Sequence, residues 1–168
     1  LNGLGGIDAI AISHPHFYSA MVEWSDAFGG VPILLHAADA EWIQRPSPNI
    51  LHWDGSEHRL SPTVCLHRCA GHFPGSTLLH WTAAPNGRNV ILAGDTLHVT
   101  ADRRHLTFMY SVPNYVPAHP DHVERTRAQL ADLAIDDIYG FTWGLDIIGG
   151  GRAALDASID RYLAAVGR

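Results

Sequence analysis

The stretch Ile7-Asp8-Ala9-Ile10-Ala11-Ile12-Ser13-His14-Pro15-His16 decides how this chain is read. Its first seven residues are a short apolar run, which predicts a strand over 7–13 buried on both faces. The run ends in two histidines one residue apart. Alternate side chains of an extended segment share a face, so a strand ending in His-x-His delivers two imidazoles to one point. Imidazole is the commonest protein metal ligand. Two later stretches, Gly71-His72-Phe73-Pro74-Gly75 and Leu92-Ala93-Gly94-Asp95-Thr96, each put a further donor at the end of a strand-like run. Donors gathered at strand ends from distant parts of the chain predict a metal site.

Working outward, residues 19–28 carry apolar positions at helical spacing, with Ser19 as N-cap and Gly29-Gly30 as the stop. Residues 31–36 read as a second strand and 38–45 as a short helix ended by Pro46 and Pro48. Strand-like runs follow at 50–53, 57–60, 63–69, 76–83 and 89–93. The last two are joined by a turn containing Asn86-Gly87, a strong hairpin signal. Residues 103–120 read as irregular, aromatic and proline-bearing. A helix is predicted over 121–133, a strand over 137–141 and a closing helix over 152–166. Strands alternating with helices predict an α/β layered fold.

The length of 168 residues predicts one domain, spanning 1–168, with a sizeable core. A net charge of −6 argues against a nucleic-acid partner. No apolar run approaches the ~18 residues of a membrane span and no secretory leader opens the chain, so a cytoplasmic location is expected. The first residue is Leu1 rather than an initiator methionine, as expected of a fragment or trimmed chain. Cys65 and Cys69 fall in one predicted strand, ~13 Å apart, too far for a disulfide, and read as buried, inert thiols. Twelve histidines against eleven Lys and Arg is the compositional oddity, and since one metal site uses three or four, most must be structural.

Taken in order, Ser13-His14-Pro15-His16, Gly71-His72-Phe73-Pro74-Gly75 and Ala93-Gly94-Asp95-Thr96 resemble the metallo-β-lactamase-fold hydrolases. The resemblance implies an αββα sandwich with a metal cleft along one edge. It matches His14 and His16 to the first two histidines of the family's His-x-His-x-Asp-His motif. It matches His72 to the third histidine of the first metal site, and Asp95 to the carboxylate that bridges two metals in many members. Where the motif continues with Asp and His, this chain has Tyr18 and Ser19, and residues 139–146, where a last histidine is expected, contain none. The second metal site has therefore lost three ligands while the first is intact. The motif also begins at residue 14, without the preceding strands that supply much of the family's first sheet. Either that half is absent or another chain supplies it, so the fold is expected to be incomplete at the N-terminus. A sheet face and edge left open there predict a homo-oligomer.

Three neutral imidazoles on one Zn²⁺ leave a position for water and lower its pKa to ~7. The expected activity is that of a mononuclear zinc hydrolase acting on a small molecule, with the metal-activated water as nucleophile. Asp95 is a fourth ligand or orients a ligand or the water, and Tyr18 is a candidate donor to a developing oxyanion. Two other readings use the same residues: a mononuclear Fe(II) dioxygenase, or a non-catalytic protein that binds one metal or a ligand.

The remaining histidines divide by position. His36 ends a strand and His98 lies just beyond Asp95; both read as structural residues near the cleft. His80 reads as a sheet-face residue, His119 and His122 as a solvated helix start, and His52, His58, His67 and His105 carry no signal. The segment from Phe108 to Tyr115 is read equally as a pocket wall or a core cover. Gly149-Gly150-Gly151 lacks the context of a dinucleotide site, and no Gly-x-Ser-x-Gly elbow is present.

Overall fold

In the computed structural model, which describes residues 1–167, strand β1 (Ile10–Ala11) is followed by helix α1 (Met21–Ala27), strand β2 (Ile33–His36) and strand β3 (Ile50–Trp53). The three strands form a parallel sheet in the order β1-β2-β3, with Ile10 beside Ile33 and Ile33 beside Ile50. Strands β4 (Glu57–Arg59), β5 (Val64–Arg68), β6 (Thr77–Trp81) and β7 (Val90–Leu92) then run as an antiparallel meander. Strands β8 (His98–Val99) and β9 (Leu106–Thr107) pair as one ribbon, and β10 (Met109–Ser111) and β11 (Val116–Pro117) as another. After helix α2 (Pro120–Leu130), strand β12 (Asp137–Tyr139) joins β7 in parallel and β13 (Asp146–Ile148) turns back against β12. The larger sheet therefore reads β13-β12-β7-β6-β5-β4, and helix α3 (Gly151–Ala165) closes the chain.

Alternation along the strands stacks these elements into four layers. Tyr18, Met21, Ile33 and Leu35 pack α1 against one face of the small sheet. Leu34 and Trp53 point the other way and meet Leu66 of β5, which joins the two sheets. The opposite face of the large sheet buries Leu78, Ile91 and Ile138 against Val123 and Leu130 of α2 and Leu155 and Ile159 of α3. That is helix, sheet, sheet, helix: an αββα sandwich, as the resemblance implied.

The differences from the sequence reading are local. The strand predicted over 7–13 narrows to Ile10–Ala11, and it is not buried on both faces, since Asp8, Ala9 and Ala11 are exposed. The cause is its place at the sheet edge, with β2 on one side and a groove of about 270 Å³ beside it, lined by Ala11, Ile12, Phe17, Leu79 and Leu92 among others. The helix predicted over 38–45 is a 3-10 segment, Ala37–Trp42, and the stretch read as irregular holds β9, β10 and β11. The Asn86-Gly87 turn does join β6 to β7, with Gly87 at φ +75°. Cys65 and Cys69 are both free and buried. Among the described residues no helix is long and apolar enough to cross a membrane.

A buried carboxylate and a partly exposed guanidinium pair beside the β12 end of the large sheet. Asp137, at the start of β12, receives two hydrogen bonds from Arg88, from Nε and from Nη2, both at 2.5 Å, and a third from the Gly149 amide at 2.8 Å. The Arg88 bond, more than the Gly149 amide, holds the Asp137 carboxyl below the usual carboxylate range despite its burial. A depressed native pKa means stability that is present above the unfolded value of ~3.9 and lost as pH falls through the native one. Asp137→Asn is therefore expected to lower stability at pH 7 by about 2 kcal/mol, a charged hydrogen bond discounted for the partly exposed guanidinium. Urea unfolding from pH 7 to 2 checks it: the gap between the two proteins should close as the medium acidifies below about 4.

Candidate metal centre

His14 ends the edge segment in an extended conformation, at φ −171°, as a residue before proline prefers. Pro15 then starts a 3-10 turn, Pro15–Phe17, in which its fixed φ and missing N–H cost nothing. His16 thus lies on a tight turn rather than on the strand. The two imidazoles converge because the chain folds back, which corrects the shared-face expectation.

His72 comes from the loop between β5 and β6. Ser76 ties that loop shut: its carbonyl accepts from the amides of Cys69 and Ala70, and its Oγ accepts from the Phe73 amide. Asp95 follows β7, and the chain can reach His14 there only because residue 94 is glycine. Gly94 sits at φ +52°, and a Cβ on it would stand 2.8 Å from Ser13 Oγ.

These loops bring four donors together: His14 Nε2, His16 Nδ1, His72 Nε2 and Asp95 Oδ2. The carboxylate oxygen is 3.3 Å from His14 Nε2, 3.5 Å from His72 Nε2 and 3.8 Å from His16 Nδ1. All four lie within 4.8 Å of one another. His14, His72 and Asp95 are buried, and His16 is the exposed member. Phe73 stacks on His14 and meets the rings of His16 and His72 edge-on, giving the donors an apolar wall.

Hydrogen bonds aim the rings. His72 Nδ1–H donates to the Tyr110 carbonyl at 2.9 Å, which leaves the Nε2 lone pair facing Asp95. His14 Nδ1 pairs with Ser13 Oγ at 2.9 Å, so its Nε2 likewise points inward. Burial, and then the neighbouring His14, push the His72 pKa down and keep its ring neutral. Burial works to raise the Asp95 pKa, but the close approach of His14, and then of His72 and His16, outweighs it, and the carboxyl ends up lowered. A neutral His72 ring beside an ionised carboxylate is the pairing a divalent cation needs. Both His14 Nε2 and Asp95 Oδ1 are buried without a hydrogen-bond partner, the mark of polar atoms that expect another group. The residues fit a metal ion.

Tyr18 stands apart from the four. Its ring packs into the core with Met21, Ile33 and Leu35 while also bordering a cavity of about 240 Å³ beside His16 and Trp42. Burial and the Asp39 charge raise its pKa, so the phenol stays a hydrogen-bond donor. Ser19 is exposed, and so are Tyr139, Phe141 and Trp143 in the segment where the resemblance expects another histidine. His36 is structural: its Nε2–H donates to the Gly55 carbonyl, and its Nδ1 accepts from the Ala38 amide. His119 caps α2 by accepting from the Asp121 amide.

One residue had no role in the sequence reading. Asp39, in the 3-10 segment Ala37–Trp42, is fully buried beneath the His72 loop, where its Oδ1 accepts from the Gly75 amide at 2.7 Å. Its Oδ2 has no hydrogen-bond partner. Burial raises its pKa, against the pull of the Gly75 amide and of His36 and His14. A lone acid within the apolar run Ala37-Ala38-Asp39-Ala40 was the available signal.

No family model matches the chain. It is 44% identical over 139 residues to uncharacterized protein YmaE of Bacillus subtilis (strain 168), an alignment covering 83% of this chain and 50% of that protein. The chain thus spans about half the length of the curated relative it matches. Among solved structures, it is similar to a B3 metallo-β-lactamase with an active-site glutamic acid (TM-score 0.65, 18% identity, 98% of this chain and 72% of that one). It is similar to the metallo-β-lactamase SMB-1 (TM-score 0.59, 18% identity, 95% and 74%). It also resembles an N-acyl homoserine lactone hydrolase with N-hexanoyl-L-homoserine at its catalytic metal centre (TM-score 0.55, 20% identity, 80% and 55%). The chain has the metallo-β-lactamase fold.

Proposed function

We propose that this chain, with its metallo-β-lactamase fold, is a mononuclear zinc hydrolase of cyclic esters or amides. The observation that carries the reading is the convergence of His14 Nε2, His16 Nδ1, His72 Nε2 and Asp95 Oδ2 within 4.8 Å, with the His72 ring turned by the Tyr110 carbonyl so that its Nε2 lone pair faces the centre. Three imidazoles and a carboxylate suit zinc, which supplies Lewis acidity and a water nucleophile at neutral pH. The replacement of the second-site ligands by Tyr18 and Ser19 supports a single ion. The substrate class follows from the solved neighbours, β-lactamases and a lactone hydrolase.

The chain's own residues then have defined tasks. Tyr110 and Ser13 hold the His72 and His14 rings in place, and Phe73 keeps bulk water from the buried donors. Exposed His16 marks the open side, where the cavity bordered by Tyr18, Trp42 and Arg45 can take the acyl portion of a substrate. In this reading the Tyr18 phenol, protonated at neutral pH, is the donor to a developing oxyanion on that side.

The test is a panel of β-lactams, homoserine lactones and simple aryl esters, assayed before chelation, after chelation and after zinc is restored. Hydrolysis that disappears with chelation and returns with zinc is the expected result. A fully zinc-loaded protein that opens none of them overturns the reading in favour of metal binding without turnover.

A further inference from the structure

A second group of donors lies on the helix-facing side of the large sheet, away from the four residues above. Within β5, Leu66 points toward the small sheet, so Cys65 and His67 on either side of it point toward the helices. The antiparallel pairing of β4 with β5 sets Glu57 directly opposite His67, and the pairing of β5 with β6 sets His80 opposite Cys65. Gln129 of α2 reaches over this face to Glu57 Oε1 at 3.4 Å. Ligand atoms of Glu57, Cys65 and His67 all lie within 4.8 Å of one another.

His67 is the informative member. Its side chain is 3% exposed, and neither ring nitrogen has a hydrogen-bond partner. Nδ1 stands 3.4 Å from Glu57 Oε1 without the alignment of a hydrogen bond. A buried imidazole with both nitrogens unsatisfied is costly and uncommon, and it needs a reason. By contrast, His80, also buried, spends its Nε2–H on the Ala134 carbonyl at 2.9 Å. The two cysteines, both buried with thiols pushed up by burial, differ in what stands beside them. Cys69 sits in the apolar core with its thiol pushed up to about 12, whereas Cys65 has a carboxylate and an unsatisfied imidazole beside it.

We infer that Glu57, Cys65 and His67 form a second metal site, selective for zinc, that fastens edge strand β4 to the large sheet. Thiolate, imidazole and carboxylate together make a borderline-soft donor set that favours zinc over calcium or magnesium. A zinc ion holding sulfur at ~2.3 Å and nitrogen at ~2.0 Å draws its donors to within ~4 Å of one another. Glu57, on the exposed edge strand, is the mobile member that closes the gap and opens a route for the ion. Binding replaces the Cys65 S–H bond with an S–metal bond and releases that proton to solvent, so affinity rises with pH. The site shares no residue with the four-donor centre, and its test does not depend on whether that centre turns anything over.

Cobalt titration of the metal-free full chain decides it, because thiolate ligation gives a near-ultraviolet charge-transfer absorption and the four-donor centre contains no sulfur. The expected result is a thiolate band in the wild type that Cys69→Ser retains and Cys65→Ser abolishes, with one equivalent of cobalt lost. Glu57→Gln alters only an exposed side chain, and it should keep the band while weakening cobalt about tenfold, in line with the cost of disturbing a ligand set. A wild type saturated with cobalt that shows no thiolate band overturns the assignment, as does a band that depends on Cys69 instead of Cys65.

Discussion

Alanine in place of His72 lowers zinc affinity at the four-donor centre about 100-fold, whereas alanine in place of His122 leaves it unchanged. The figure comes from sharing an apparent zinc binding energy of roughly 10–16 kcal/mol among four ligands, about 3 kcal/mol each, which is about two decades in affinity. His72 is buried and its ring is aimed by the Tyr110 carbonyl, so no neighbouring side chain can take its place. His122 is a stringent control. It lies in α2 against the same loop, with its Cβ 3.6 Å from where a Cβ on Gly71 would stand, yet its Nδ1 is engaged with Arg125 on the helix surface. Competition with a chromogenic chelator, in a Cys65→Ser background that leaves the four-donor centre alone to be read, gives both numbers. Equal losses in the two variants would break the site assignment.

The parts of this site that the sequence announced are those where one local rule decides the outcome. His14-Pro15-His16 places two imidazoles together because proline forces the residue before it to be extended and itself starts the turn. Gly94 before Asp95 is legible because only a residue without Cβ lets the end of β7 approach Ser13. What stayed hidden depends on pairing between distant segments. Asp39 reads as one acid in a short helical run, and nothing in its neighbours reveals that the His72 loop closes over it. His67 carries no signal alone, and it gains one only when β4 pairs in the register that brings Glu57 across from it. The ribbons β8–β9 and β10–β11 are two or three residues per strand, too short for a period of two to register. The 7–13 segment misleads for the opposite reason: its isoleucines predict a buried strand, but an edge position leaves Ala11 facing the groove.

Gly75→Ala is expected to destabilise the chain by about 3–5 kcal/mol, a large effect for one methyl group. Its backbone is not in the left-handed region, so strain is not the cause. The cause is space. A Cβ at residue 75 would stand 2.7 Å from Asp39 Oδ2, 2.8 Å from Asp39 Cγ and 3.0 Å from His36 Cβ. None of these can retreat cheaply. Asp39 is completely buried, and His36 is held at both ring nitrogens, by Gly55 and by Ala38. Overpacking of a closed core costs roughly 1–3 kcal/mol. Pushing the carboxylate away also weakens the hydrogen bond it accepts from the Gly75 amide, a charged bond worth about 1.5–3 kcal/mol. Because Gly75 and His72 belong to one loop tied by Ser76, zinc affinity should fall along with stability. A double-mutant cycle with Asp39→Ala isolates the cause. Asp39→Ala is itself destabilising, since it leaves the Gly75 N–H buried and unpaired, but it removes the group the methyl collides with. If the collision is the mechanism, the double variant loses at least about 1 kcal/mol less than the sum of the singles in urea unfolding. Strict additivity would mean that the methyl group and the carboxylate do not meet, and that Asp39 does not support the His72 loop.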